Sequence, residues 1–132
     1  MVIKNKIIDL QNMFESCQNL KNIDEVKYLN TKYCPKWNVS NGTNFSCMFC
    51  NCSSLKDIKL LEKWNVSNGV NFTSILYGCS SVKDIKPLEK WNVSNSTIFL
   101  AMFNGCSLLK EIKPLENWNI KENNFNDMFK NV

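Results

Sequence analysis

Phe45-Ser-Cys-Met48-Phe49-Cys-Asn-Cys52-Ser-Ser-Leu55-Lys-Asp-Ile58-Lys-Leu-Leu61-Glu-Lys-Trp64-Asn-Val66 recurs, whole or in part, along nearly the entire chain. Trp37, Trp64, Trp91 and Trp118 are spaced by 27 residues each time, and Cys52, Cys79 and Cys106 keep the same interval. So do Ile58, Ile85 and Ile112, and Leu61, Leu88 and Leu115. Val39, Val66, Val93 and Ile120 follow the tryptophans at a fixed offset, and Phe45, Phe72, Phe99 and Phe125 close each turn. A strict period in apolar positions means that each copy occupies the same place in one stacked coil.

The N-terminal copy is out of step in an informative way. Met13, Phe14, Cys17, Leu20 and Ile23 precede Met48, Phe49, Cys52, Leu55 and Ile58 by 35 residues, one period plus eight. The extra residues fall between Ile23 and Trp37 and read as a loop of about 24–36, containing Tyr28, Tyr33 and Cys34, that bulges from one rung. The chain is thus a single repeat domain over 1–132. A partial first rung, 1–36, precedes repeats of about 37–63, 64–90 and 91–117 and an incomplete 118–132. Met1 to Ile8 reads as at most a partial cap, and no polar cap follows Val132.

Two periodicities alternate within a copy. Phe45, Met48, Phe49 and Cys52 sit at i, i+3, i+4 and i+7, which predicts a short helix with Asn44 as its N-cap. Asn71, Thr97 or Ile98, and Asp9 stand in the equivalent cap positions. Leu55, Ile58 and Leu61 then recur every third residue, which predicts a short strand near Asp57 to Lys59, its end marked by Pro87 and Pro114 in later copies. Trp64 and Val66 alternate as a second extended piece. The expected fold is an α/β solenoid of about four to five rungs, with one short helix and one or two short strands per rung.

Composition narrows the function classes. The 16 basic residues, all lysine, alternate with 12 acidic ones, and a net charge of +4 without clustering is not the footprint of a nucleic-acid or membrane-surface binder. No histidine is present, which removes the commonest general base and metal ligand. The first ten residues hold no apolar run of signal-peptide length, and no 18 apolar residues run together, so the chain reads as soluble and without membrane insertion. No nucleophile, base and acid converge and no glycine-rich phosphate loop appears, so no catalytic residue, metal site or cofactor is expected.

The repeat written Met-Phe-x-Gly-Cys-Ser-x-Leu-Lys-x-Ile-x-x-Leu-x-x-Trp-Asn-Val-Ser-Asn, in register over roughly residues 10 to 132, resembles that of the BspA-like leucine-rich-repeat proteins. It is most similar to the branch found in mycoplasma surface lipoproteins and in surface proteins of protists. The resemblance implies a right-handed leucine-rich coil displayed on cell surfaces and associated with adhesion, with no catalytic residues to carry over.

Seven cysteines invite a disulfide or metal reading. Cys17, Cys52, Cys79 and Cys106 share one repeat position on the inner side of the expected helix and read as small buried core residues. Helices stacked about 8 to 10 Å apart would hold successive cysteines beyond disulfide reach. Cys47-x-x-Cys50-x-Cys52, with Cys34, has the outline of a zinc site, but Cys47 aligns with Ser74 and Ala101, and Cys50 with Tyr77 and Asn104, which read as outward positions. Free thiols are therefore expected, and with the missing signal they suggest a cytoplasmic setting where the resemblance suggests the cell surface. Asn-x-Ser/Thr at Asn38, Asn41, Asn44, Asn51, Asn65, Asn71, Asn92 and Asn95 reads as structural asparagine at corners. Inter-rung hydrogen bonds are expected from the column Asn38, Asn65, Asn92 and Asn119. The tryptophans, two residues from one core position and three from another, are expected to face inward.

Charges line the expected strand side. Lys56, Lys83 and Lys110 form one column, Asp57, Asp84 and Glu111 the next, and Lys59, Lys86 and Lys113 a third. This striped face is the candidate binding surface, and the expected function is non-catalytic recognition of a protein partner, including adhesion at a cell surface. The alternative is a structural role, in which the coil stacks end to end on its own kind or serves as an intracellular scaffold.

Overall fold

The computed structural model describes residues 8–21, 39–118, 120, 127–130 and 132. The inserted loop with Tyr28, Tyr33 and Cys34, together with Trp37, Asn38, Asn119 and Phe125, lies outside the described residues. Regular structure among those described is sparse. Strand β1, Ile8–Asp9, pairs in parallel with β2, Gly42–Asn44, and isolated parallel bridges continue the line from Asn44 to Asn71 and from Asn71 to Ile98. Three 3-10 segments follow, at Lys59–Lys63, Lys86–Leu88 and Lys113–Leu115.

The expected α/β coil, with a helix and a strand in every rung, is not formed: the described residues contain no α-helix. The apolar spacing of Phe45, Met48, Phe49 and Cys52 is satisfied by a succession of tight turns. Met48, Cys50 and Cys52 each donate a backbone N–H three residues back, to Phe45, Cys47 and Phe49, at 3.2 to 3.3 Å. The intervening N–H groups leave the copy altogether. Phe45, Cys47, Phe49 and Asn51 donate to the carbonyls of Asn71, Thr73, Ile75 and Tyr77 in the next copy. An α-helix keeps its interior N–H groups within itself, whereas this backbone sends every second one to its neighbour.

Left-handed residues make that alternation possible. Cys47, Ser74 and Ala101 (φ 53 to 55°) occupy one repeat position, and Asn51, Gly78 and Gly105 (φ 59 to 80°) another four residues on; Asn12 and Ser16 repeat the pair in the first copy. Each reversal turns an N–H out toward the following copy: Ser16 to Cys50, Asn51 to Tyr77, Gly78 to Asn104 and Gly105 to Lys130. A Cβ at Gly78 would also meet the Asn51 side-chain oxygen, which would have to swing aside. Gly78→Ala is expected to lower stability by about 1–2 kcal/mol from left-handed strain alone, read as a shift of the urea midpoint; an unchanged midpoint would show that the turn is not required in this form.

Of the strand expected near Asp57 to Lys59 only a bridge at Asp57 forms, and 3-10 segments begin at Lys59, Lys86 and Lys113, with Pro87 and Pro114 at their starts rather than at a strand end. Proline suits that place because its fixed φ is close to helical and the first N–H has no internal acceptor. The true strand line runs instead through Asn44, Asn71 and Ile98, the positions read as helix caps. Asn44 and Asn71 still cap locally, each accepting the N–H two residues on, at 3.0 and 2.9 Å.

The core is columnar, with one side chain per copy. Phe45, Phe72 and Phe99 stack face to face (5.1 and 6.0 Å between centroids, planes within 8°), as do Phe14 and Phe49, Trp91 and Trp118, and Phe103 and Phe129. Met48, Leu55, Ile58, Leu61 and Val66 are buried, and so are Trp91 and Trp118; Trp64 is half-buried. The indole N–H groups of Trp91 and Trp118 donate to the carbonyls of Leu61 and Leu88 in the preceding copy, at 2.7 and 3.0 Å. The inter-copy asparagine bonds come from a column other than the expected one. Asn65 and Asn92 accept the N–H of Ser67 and Ser94 locally, while Asn68 and Asn95 reach back to the carbonyls of Ser40 and Ser67.

Candidate functional site

The charged columns surround the 3-10 segments. Asp57 and Asp84 each accept the backbone N–H two residues on, from Lys59 and Lys86, at 2.8 Å. That bond fixes the entry into the segment, and Leu61, Leu88 and Leu115 anchor its inner side in the core. Residues three apart in a 3-10 helix eclipse one another, so Lys59 and Glu62 share a side, as do Lys86 and Glu89, and Lys113 and Glu116. The turn presents charge outward because its apolar residue is held inward.

Two adjoining shallow grooves result, each spanning a junction between copies. The first, about 410 Å³, is lined by Lys56, Asp57, Lys59 and Glu62 from one copy, with Asp84 and Lys86 from the next. The second, about 490 Å³, takes Lys83, Asp84, Lys86 and Glu89 from that copy and Lys110, Glu111, Lys113 and Glu116 from the one after. All nine residues singled out from the sequence thus lie along one continuous face, with Asp84 and Lys86 shared between the grooves. The nine are exposed, and the 3-10 segments provide the face in place of the expected strands. The column Glu62, Glu89 and Glu116 was missed, although its 27-residue spacing marks it as plainly as the others. With it the face carries four columns in the order positive, negative, positive, negative.

The cysteines divide into two groups. Cys52, Cys79 and Cys106 are fully buried, as expected, and each thiol donates to a carbonyl of the preceding copy, Phe14, Phe49 and Leu76, at 3.1 to 3.2 Å. Burial pushes the Cys52 thiol up to about 11 and the Cys106 thiol up to about 12. Cys79 is raised by burial first and by the neighbouring Cys106 and Cys52 next. Protonated thiols of this kind are poor nucleophiles at neutral pH.

Cys47 and Cys50, expected as free outward thiols, are joined in a disulfide. The tight turn brings their Cα atoms to 4.7 Å, within the range a disulfide spans, and Cys50 is buried rather than outward. Among the described residues no group of three or more histidine, cysteine or acidic side chains is arranged to hold a metal ion. No helix among them is long and apolar enough to cross a membrane.

The family model described as "Mycoplasma protein of unknown function, DUF285" matches residues 8–132, and the chain belongs to that family. No curated protein and no solved structure matches the chain.

Proposed function

We propose that this member of the family is a non-catalytic recognition module that holds a charged, extended segment of a partner protein along the two adjoining grooves. The observation that carries the reading is the fourfold striping of one continuous face, repeated copy after copy at fixed positions. Opposite charges in adjacent columns favour a segment of mixed charge in one register and repel it in the shifted one, which is how charge gives specificity more than raw affinity. The resemblance of the repeat to BspA-like leucine-rich-repeat surface proteins supports the same reading, and on a cell surface such recognition amounts to adhesion.

A displayed library of random peptides, selected on the folded chain, tests it. Mixed-charge sequences should be enriched, and their binding should weaken as salt is raised, since exposed charges are screened within about 10 Å at 0.1 M. Replacing Lys59, Lys86 and Lys113 together by glutamate should weaken the selected peptides by about tenfold or more, at about 0.5 kcal/mol or more for each exposed charge. Selection of no charged sequence, or affinity untouched by the triple change, would remove the proposal.

A further inference from the structure

Cys47 and Cys50 stand outside the repeat pattern, yet the turn that holds them is common to the described copies. Asn12, Cys47, Ser74, Ala101 and Asp127 take the same left-handed conformation, at φ 53 to 59°. The amide three residues on donates back to each of them, from Glu15, Cys50, Tyr77, Asn104 and Lys130, at 3.1 to 3.2 Å. Cys47 and Ser74 also donate alike to the following copy, to Thr73 and Leu100 at 2.9 and 2.8 Å. Four of these turns form with no cysteine at either position. The 4.7 Å between the Cα atoms of Cys47 and Cys50 is therefore set by the backbone, and the turn does not depend on the sulfur bond.

A bond between residues three apart closes a very short loop and constrains the unfolded chain little, so it adds less stability than a long-range bridge would. The reduced state, by contrast, has a place prepared for it. The Cys50 sulfur lies 3.1 Å from the carbonyl oxygen of Ser74 in the next copy. A disulfide sulfur carries no proton, so that contact becomes a hydrogen bond only in the dithiol. The core thiols make the same kind of bond to a neighbouring copy, at 3.1 to 3.2 Å. Access is unequal within the pair: Cys50 is buried, whereas Cys47 is only half-buried. The thiol of Cys52, two residues on, is sealed in the core with its proton on the Phe14 carbonyl, and a protonated thiol does not attack the pair.

We propose that Cys47 and Cys50 form a thiol–disulfide exchange site for a low-molecular-weight thiol, opening and closing within one unchanged fold. The thiolate of the small thiol attacks the sulfur of the more exposed Cys47, and a mixed disulfide forms as the bond to Cys50 breaks. The electron pair leaves on the Cys50 sulfur, which takes up a proton and donates it to the Ser74 carbonyl. A second small thiolate then attacks the sulfur of the first, which releases Cys47 as a thiol. The cysteine pair gains two electrons, the two small thiols become one disulfide, and the protons they gave up end on the cysteines. In reverse, the oxidised form of the small thiol closes the pair.

Glutathione, thiol alkylation and peptide mapping by mass spectrometry test the proposal. In the folded wild type, reduced glutathione at millimolar concentration should make positions 47 and 50 open to alkylation, with circular dichroism unchanged. Oxidised glutathione should close them again. Separate variants then locate the entry point. Cys50→Ser exposed to oxidised glutathione should gain an adduct at position 47, about tenfold or more faster than Cys47→Ser gains one at position 50. Cys50→Ala replaces Cys50→Ser if circular dichroism shows the serine variant unfolded. A wild-type pair that opens only in denaturant, a chain that unfolds when the pair opens, no adduct at position 47, or equal rates at the two positions would overturn the proposal.

Discussion

Replacement of Phe72 by alanine is expected to leave the chain at the edge of unfolding. Its ring is fully buried and touches three other rings: Phe45 at 5.1 Å, Phe99 at 6.0 Å and Trp91 at 5.7 Å between centroids. Truncating a buried phenylalanine costs about 3–5 kcal/mol, the lost transfer energy plus the cavity left behind. Against a total stability on the order of 5–15 kcal/mol, that removes a large share. The loss should be felt on both sides, because Phe72 lies between Phe45 and Phe99 in its column. Urea denaturation followed by tryptophan fluorescence measures it. A decrease below about 1 kcal/mol would mean that the column does not act as a unit.

Alkaline pH should weaken the fold steeply. The thiols of Cys52, Cys79 and Cys106 ionise later in the folded chain than their ordinary value of 9.0, because burial opposes the charged form. Each contribution is whole below about pH 9 and is lost as pH rises toward the folded values, since the unfolded chain ionises first and is thereby favoured. One pH unit is about 1.4 kcal/mol for each such group, so three thiols together account for a loss on the order of several kcal/mol by pH 11. Denaturation midpoints from pH 8 to 11 should fall much faster for the wild type than for the triple variant Cys52→Ala, Cys79→Ala, Cys106→Ala. Lysine titration is common to both chains and cancels in the comparison. Parallel slopes would show that the thiols are not the cause.

The repeat, its core columns and its striped face were legible because burial follows the 27-residue period position by position. Leu55, Ile58, Leu61 and Val66 were placed in the core from spacing alone, and they are there. The local backbone was less legible. Apolar residues at i, i+3, i+4 and i+7 over only eight positions suit a helix and a run of tight turns equally well. The deciding signal lay in the columns between them. Cysteine, serine and alanine at 47, 74 and 101, with asparagine and glycine at 51, 78 and 105, are small or tolerate left-handed backbone, and an α-helix admits neither reversal. Half of the turn segment's hydrogen bonds also run between copies, where a pattern read within one copy has no view of them. The disulfide escaped for a related reason. Tyr77 and Asn104, the counterparts of Cys50 in the same turn, are not buried, whereas Cys50 is buried and joined to Cys47. The sequence reading of the striped face omits the glutamate column and expects strands where 3-10 segments carry it.

The eight extra residues of the first copy fall between Ile23 and Trp37, the interval that in later copies holds the 3-10 segment beside the grooves. The bonds on the rest of the circuit are undisturbed by them. Leu10 still meets Asn44, Ser16 meets Cys50, and Lys56 meets Lys21, as if the added length were not there. The length of sequence between Ile23 and Trp37 is therefore decoupled from the register that holds the described copies together. Eight residues can thus be added to one copy while the backbone ladder between the described copies stays the same.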